Sequence, residues 1–285
     1  MNKPLYQERV IASSTPFECL NEAHFAEYAA AGLGAFELSV DAEYYGLLDI
    51  PAIVKAAQSQ GITPWSFHLP YYYLPDAVIS VPDVQRRASA VRFQGEQIRR
   101  AADAGFSHIV IHPSSEPIKE DDRAAQFAAA KASIEELSLV AKHAGVTLAV
   151  ENLPRTCLGN TSSELLALIA DAEGAGVCFD MNHLLLESHA DFLRAVGEHI
   201  VTVHVSDYDR VDERHWLPGE GVTDWGEVLA LLDACGYQGP WMYELNRSGN
   251  KTISREKKIT PAQMAQNAHE LWHGLPITKR GTVLV

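Results

Sequence analysis

Short runs of β-branched and aromatic residues alternate along the whole chain with longer stretches in which apolar positions recur every three or four residues. The short runs predict strands at 10–14, 35–40, 64–69, 108–112, 147–151, 176–180, 200–205 and 240–245. The longer stretches predict helices near 18–31, 49–60, 82–104, 120–144, 162–172, 190–197, 224–235 and 261–273. Thr223-Asp224 and Thr260-Pro261 are good helix openings, the second placing proline at a first helical position. Glycine closes most helices, as in Ala31-Gly32, Gln60-Gly61, Ala104-Gly105, Ala144-Gly145, Ala175-Gly176 and Cys235-Gly236. Eight βα units in a chain of 285 residues close most economically as an α/β fold of one kind, a single (β/α)8 TIM barrel. A doubly wound open sheet competes, but no GxGxxG or GxxxxGK[ST] follows the first strand. No linker or composition break appears, so residues 1–285 are expected to form one domain.

Composition narrows the class. With 47% hydrophobic and 21% charged residues the chain is ordinary globular protein, which excludes disorder, coiled coil and collagen. Its 23 Lys+Arg against 37 Asp+Glu, net −14, argue against broad attraction to nucleic acid or anionic membranes. No apolar run reaches the roughly 18–20 residues that a membrane span needs, and the N-terminal MNKPLYQERVIASST has no apolar segment behind a basic start. A soluble, cytoplasmic protein is the expectation. Cys19, Cys157, Cys178 and Cys235 are far apart and lack CxxC spacing, so they read as free packing thiols, with Cys157 the one to watch.

Catalytic groups of such a barrel come from the C-terminal ends of its strands. Strand two carries Glu37, strand three ends at His68 and strand four at His112. Strands five to eight end with Glu151, Asp180 followed by His183, His204, and Glu244. Converging carboxylates repel unless a cation neutralises them. Glu151, Asp180, His204 and Glu244 offer an oxygen and nitrogen set that suits one divalent ion, Mn²⁺, Co²⁺, Mg²⁺ or Zn²⁺. Taken singly, each of these groups reads as readily as a helix cap or an ion pair, and His68 and His112 as satisfied core histidines. Tyr71, Tyr72 and Tyr73 suggest a stacking lip over the mouth, although aromatic residues in such loops more often pack, and Trp65, Trp216, Trp225 and Trp241 carry the same ambiguity.

At these residues the sequence resembles the xylose-isomerase-like barrel superfamily, in the sugar phosphate isomerase/epimerase branch that also contains endonuclease IV. The likeness rests on His68-Leu69-Pro70, Ile111-His112-Pro113, Glu151-Asn152-Leu153, Asp180-Met181-Asn182-His183, and the segment from His204-Val205-Ser206-Asp207 through Trp216-Leu217-Pro218-Gly219-Glu220-Gly221 to Asp224-Trp225. It implies a single metal on Glu151, Asp180, His204 and Glu244, substrate oxygens held by His183 and Arg210, and proton exchange between Glu151 and Glu244. Arg155 falls on a family arginine position, and His68 and His112 would complete the substrate-binding wall. Cys157 stands where ketose 3-epimerases use a second glutamate, a departure from that pattern. The endonuclease IV comparison implies three zinc ions on His68, His112, Glu151, Asp180, His183, His204, His215 and Glu244, with Glu213 where an aspartate stands there.

Two enzymes and one non-enzyme follow as expectations. The first is a divalent-metal-dependent isomerase or epimerase of a sugar, sugar phosphate or related polyol ketone, working through an enediolate, with a keto-inositol dehydratase sharing its proton abstraction. The second is a three-zinc abasic-site nuclease, disfavoured by the acidic balance. The third is a barrel that senses a metal or polyol without turnover. The expected partner is a small carbohydrate, with neither membrane nor nucleic acid.

Overall fold

The computed structural model describes residues 3–71 and 77–285, with the backbone alone at Ala42. The barrel strands are β1 (Ile11–Thr15), β2 (Leu33–Leu38), β3 (Thr63–His68), β4 (His108–Ile111), β5 (Thr147–Glu151), β6 (Gly176–Asp180), β7 (Ile200–His204) and β8 (Trp241–Tyr243). The helices between and after them are α1 (Glu22–Ala31), α2 (Ile50–Ser59), α3 (Val84–Ala104), α4 (Glu120–Ala144), α5 (Ser162–Ile169), α6 (His189–Val196), α7 (Trp225–Ala234) and α8 (Pro261–Trp272). All neighbouring strands pair in parallel, in the order β7-β6-β5-β4-β3-β2-β1-β8. A parallel bridge between Val205 and Tyr243 joins the two ends, with Val205 N–H donating to the Met242 carbonyl at 2.8 Å. The result is a single (β/α)8 TIM barrel.

Capping explains where the helices begin. Asn21, Asp49, Asp83, Thr161, Ser188, Asp224 and Thr260 each accept a backbone N–H from the first turn of the helix they precede. Helix α4 has no side-chain cap, and instead sets Glu120, Asp121 and Asp122 against the positive end of its dipole and Lys142 and His143 against the negative end. The expected helix over 18–31 begins later, because Phe17–Cys19 form a separate 3-10 turn before the Asn21 cap. At the turn into β6 it is Gly174, with φ 78°, that takes the left-handed conformation. Gly176 is needed for a different reason: a Cβ there would lie 2.5 Å from Val201 Cγ1.

Because side chains alternate along a strand, the residue two before each mouth residue also points inward. These are small or slender: Ala35, Ser66, Val110, Ala149, Cys178, Thr202 and Met242, all buried. The opposite faces carry Phe36, Phe67, Ile109, Val150, Phe179 and Val203 into the large core under the helices. Beyond β8 a short antiparallel pair, β9 (Ile253–Ser254) with β10 (Thr282–Val283), anchors the C-terminal tail.

Candidate active site

Glu151, Asp180 and His204 are the last residues of β5, β6 and β7, and Glu244 follows β8 directly. Register places Asp180 beside His204, and the Glu244 N–H donates to Val205 O at 3.2 Å. The four side chains present ligand atoms within 4.8 Å of one another. His204 Nδ1 is the centre, at 3.3 Å from Glu151 Oε1, 3.7 Å from Asp180 Oδ2 and 3.2 Å from Glu244 Oε2. Asp180 Oδ2 and Glu244 Oε2 are buried without a hydrogen-bond partner. Buried acceptors are rarely left unpaired, and a set of hard oxygens with one imidazole fits a divalent cation. The residues present therefore fit such an ion.

Behind this set lies a residue whose part the sequence did not suggest. Glu37, fully buried on β2, places Oε2 3.1 Å from His204 Nε2 and accepts from Ser66 Oγ at 2.7 Å. A carboxylate on the far imidazole nitrogen fixes ring orientation and tautomer, as second partners of metal-binding histidines do. Burial penalises the His204 imidazolium, yet Cys178 and then the carboxylates of Glu37, Glu244 and Glu151 outweigh it and raise its pKa well above the usual histidine range. Glu151 is likewise opposed by burial but held well below the usual carboxylate range by His204 and His112. Glu244 shifts downward for the same reason, chiefly through His204. Asp180 goes the other way, with burial raising it.

Around the four stand more imidazoles. His68 Nε2 and His112 Nε2 each lie 3.2 Å from Glu151 Oε2. His183 Nδ1 hydrogen-bonds to the Asn152 carbonyl at 2.9 Å, and its Nε2 is 3.1 Å from Glu213 Oε2. Burial opposes the His183 charge, but Asp180 and Glu213 prevail and bring it to about 10, while His183 and its neighbours lower Glu213 to about 2 against its burial. Two asparagines pin the strand ends. Asn152 exchanges hydrogen bonds with the Asp180 backbone at 2.8 and 2.9 Å, and Asn182 Oδ1 accepts from Arg214 and His215 N–H at 2.7 and 3.1 Å.

A cavity of about 370 Å³ opens over this floor, and Glu151, Glu244, His112, His183, Glu213 and His215 all line it. Arg155 lines it too, but its guanidinium is tied to Glu116, to Asp212 at 2.5 Å and to Glu213 at 3.0 Å. His68 is buried beneath, where it buttresses Glu151. Arg210 is exposed and is not among the lining residues, so the structure does not bring it to the others. The Cys157 thiol lines the cavity, with burial pushing it up to about 12, so it stays protonated at neutral pH. Tyr71 lies over His112 with ring centroids 4.1 Å apart, whereas Tyr72 and Tyr73 fall outside the described residues. Trp216, Trp225 and Trp241 are buried packing residues, and Trp65 stacks on His108 instead of facing the mouth.

A closed parallel barrel whose strand ends gather carboxylates and imidazoles at one mouth defines the class of protein. The chain belongs to the xylose isomerase-like TIM barrel family, which it matches over residues 25–270. Among curated proteins it is 30% identical over 157 residues to an uncharacterized protein of Methanocaldococcus jannaschii, covering 50% of this chain and 54% of that one. A second uncharacterized protein, from Sinorhizobium fredii, is 24% identical over 169 residues, covering 56% and 53%. The chain thus spans about half the length of the curated relatives it matches. The fold is shared with a D-tagatose 3-epimerase-like protein, with a TM-score of 0.74, 21% identity, and 90% and 94% coverage of the two chains. It is also shared with D-psicose 3-epimerase from Clostridium cellulolyticum H10 (0.71, 21%, 86% and 87%) and with an AP endonuclease family 2 protein from Brucella melitensis (0.69, 19%, 86% and 95%). Among the described residues no helix is long and apolar enough to cross a membrane.

Proposed function

We propose that the protein is a divalent-metal-dependent isomerase or epimerase of a small sugar or related polyol ketone. The observation that carries this reading is the pair of glutamates, Glu151 and Glu244, that line one cavity while sharing the imidazole of His204. Both carboxyls are shifted toward ionisation, so each is available as a base at neutral pH. When bound by Glu151, Asp180, His204 and Glu244, a divalent cation supplies Lewis-acid stabilisation of negative charge that develops on substrate oxygens. One glutamate, as carboxylate, takes the proton on the carbon beside the carbonyl, giving an enediolate; the other, having first taken up a proton from solvent, delivers it to that carbon on the opposite face where the product is an epimer. His183, fixed through its Nδ1 to the Asn152 carbonyl, presents Nε2 to the cavity side, where Glu213 now occupies it. His112 and His215 extend that polar wall. The cavity volume falls within the range of about 300–1,000 Å³ usual for small-molecule sites.

The test is protein loaded with Mn²⁺ or Co²⁺ and incubated in D₂O with a panel of ketoses, inososes and their phosphates. Deuterium entering the carbon beside the carbonyl of one of them is the expected result, and none entering any would refute the reading. A second reading rests on a specific observation. Two further ligand sets, His68-His112-Glu151 and His183-Glu213-His215, adjoin the first and would suit a three-zinc phosphodiesterase. About three zinc ions per chain, with cleavage of abasic DNA, would favour it. The one arginine in the cavity wall, Arg155, is already committed to three carboxylates, which weighs against phosphate binding there.

A further inference from the structure

Arg247 leaves the barrel three residues after Glu244 and runs toward the start of α8, where its backbone and Nε pair with Ile259 at 2.9 and 2.8 Å. The side chain is buried, with the residue 9% exposed, and Nη1 has no hydrogen-bond partner. No carboxylate among the described residues forms an ion pair with it. A buried guanidinium without a counter-ion is costly, and such a charge is normally paired.

The same side chain lines a cavity of about 610 Å³ between α1 and the start of α8. Lys258 lines it as well, and reaches a carboxylate only at 4.0 Å, on Glu18. His24 adds a second buried atom without a partner, Nε2, while its Nδ1 lies 3.4 Å from Glu27, the one carboxylate among the described residues that lines this cavity. Thr260, Pro261 and Ala262, the opening of the twelve-residue α8, form another wall; Thr260 and Gln263 cap each other's N–H groups at 3.3 and 2.9 Å and Pro261 has none, so this wall offers the helix dipole more than free donors. Cys19, Ala30 and Ile259 give apolar ground for an organic body beside a charged group. Burial, and after it the Arg247 charge, lowers the pKa of the His24 imidazole.

We propose that this cavity binds a compact oxyanion, a phosphoryl or carboxylate group, clasped by Arg247 and Lys258 at the N-terminus of α8. Arg247 supplies the planar fork of donors that such groups accept, and Lys258 a second positive charge. Arg247 and Lys258 also line a neighbouring cavity of about 540 Å³ that reaches His215 and Glu244. The oxyanion therefore has two sources, a free ion or the charged end of a molecule seated in the mouth. The assignment of the anion site itself stands apart from the reaction proposed for the mouth.

Calorimetric titration of the intact chain with inorganic phosphate, against chloride at equal ionic strength, tests it without any need for turnover. Saturable phosphate binding is expected, weakened about tenfold or more in Arg247→Gln, the loss of one charge-assisted clasp, weakened in Lys258→Gln, and unchanged in Arg155→Gln. Lys258→Gln keeps the test alive if Arg247→Gln does not fold. A ketose phosphate that binds tighter than phosphate, with the advantage lost in Glu244→Gln, assigns the charged end of the mouth ligand. Phosphate binding equal to that of the ester and indifferent to Glu244→Gln assigns a free oxyanion. No saturable binding by the parent chain overturns the proposal, as does binding that Arg155→Gln abolishes and Arg247→Gln and Lys258→Gln leave intact.

Discussion

Asp180 and Asp207 both stand at strand ends on the same rim, both are fully buried, and their environments are opposites. Asp207 accepts from the N–H groups of Tyr208, Gly219, Gly221 and Thr223 and from Trp225 Nε1, at 2.8 to 3.2 Å. Asp180 Oδ1 accepts one N–H, from Asn182 at 2.6 Å, and its Oδ2 accepts none. The saturated carboxylate folds the loop after β7, and the open one keeps an unused acceptor at the barrel mouth. Glu220 belongs with Asp207: fully buried, it takes Arg255 at 2.6 and 2.8 Å and the Arg280 N–H at 2.8 Å. The difference teaches that residue type at a strand end does not separate scaffold from site, whereas the number of donors already satisfied does.

The largest expected effect lies on the open side. Glu151→Gln and Glu244→Gln should each lower kcat by a factor of about 10²–10⁴, the usual contribution of a positioned base, in whichever substrate shows solvent exchange. Next comes the scaffold: Asp207→Asn should cost about 3 kcal/mol, because it turns an amine toward donors that need an acceptor, measured by urea unfolding. Asp180→Asn should cost the metal-free protein less in the same assay, since its Oδ2 accepts no hydrogen bond and its ion pairs to His183 and His204 are long, at 3.7 Å. An equal loss in both variants would erase the distinction drawn here. Chelation should lower the Tm of the parent chain but not of Asp180→Asn, with a gap of about 3 kcal/mol where the ion stood at a hundred times its Kd.

A smaller effect concerns pH. His189, buried with Nε2 2.7 Å from the Met181 carbonyl, is brought down to about 4 mainly by burial. The unfolded chain then binds a proton near pH 6.5 that the folded chain refuses until about pH 4, so stability is full above 6.5 and lost as pH falls through that window. The loss should approach on the order of 3 kcal/mol at its lower end, and His189→Gln should flatten that part of the unfolding profile.

Periodicity and turn residues made the barrel legible, since alternating strands and capped helices are local signals. Strand-end residue types also made the gathering of Glu151, Asp180, His204 and Glu244 legible, because each sits where a barrel collects its polar side chains. Glu37 was noted on its strand, but its hold on His204 depends on pairing across the barrel with Ser66 and β7, which no local spacing encodes. Arg155 and Arg210 were assigned together by resemblance; only Arg155 lines the cavity, and both take positive φ, at 51° and 62°. Loop conformation decides that division, and loops follow tertiary contacts more than propensity.

Glu151, Asp180, His204 and Glu244 are proposed to hold one divalent ion. Equilibrium dialysis of chelated protein against Mn²⁺, with metal counted per chain, tests it most directly. About one tightly held ion in the parent chain, falling to background in Asp180→Asn, is the predicted result; no tight binding in the parent, or equal binding in the variant, would contradict it.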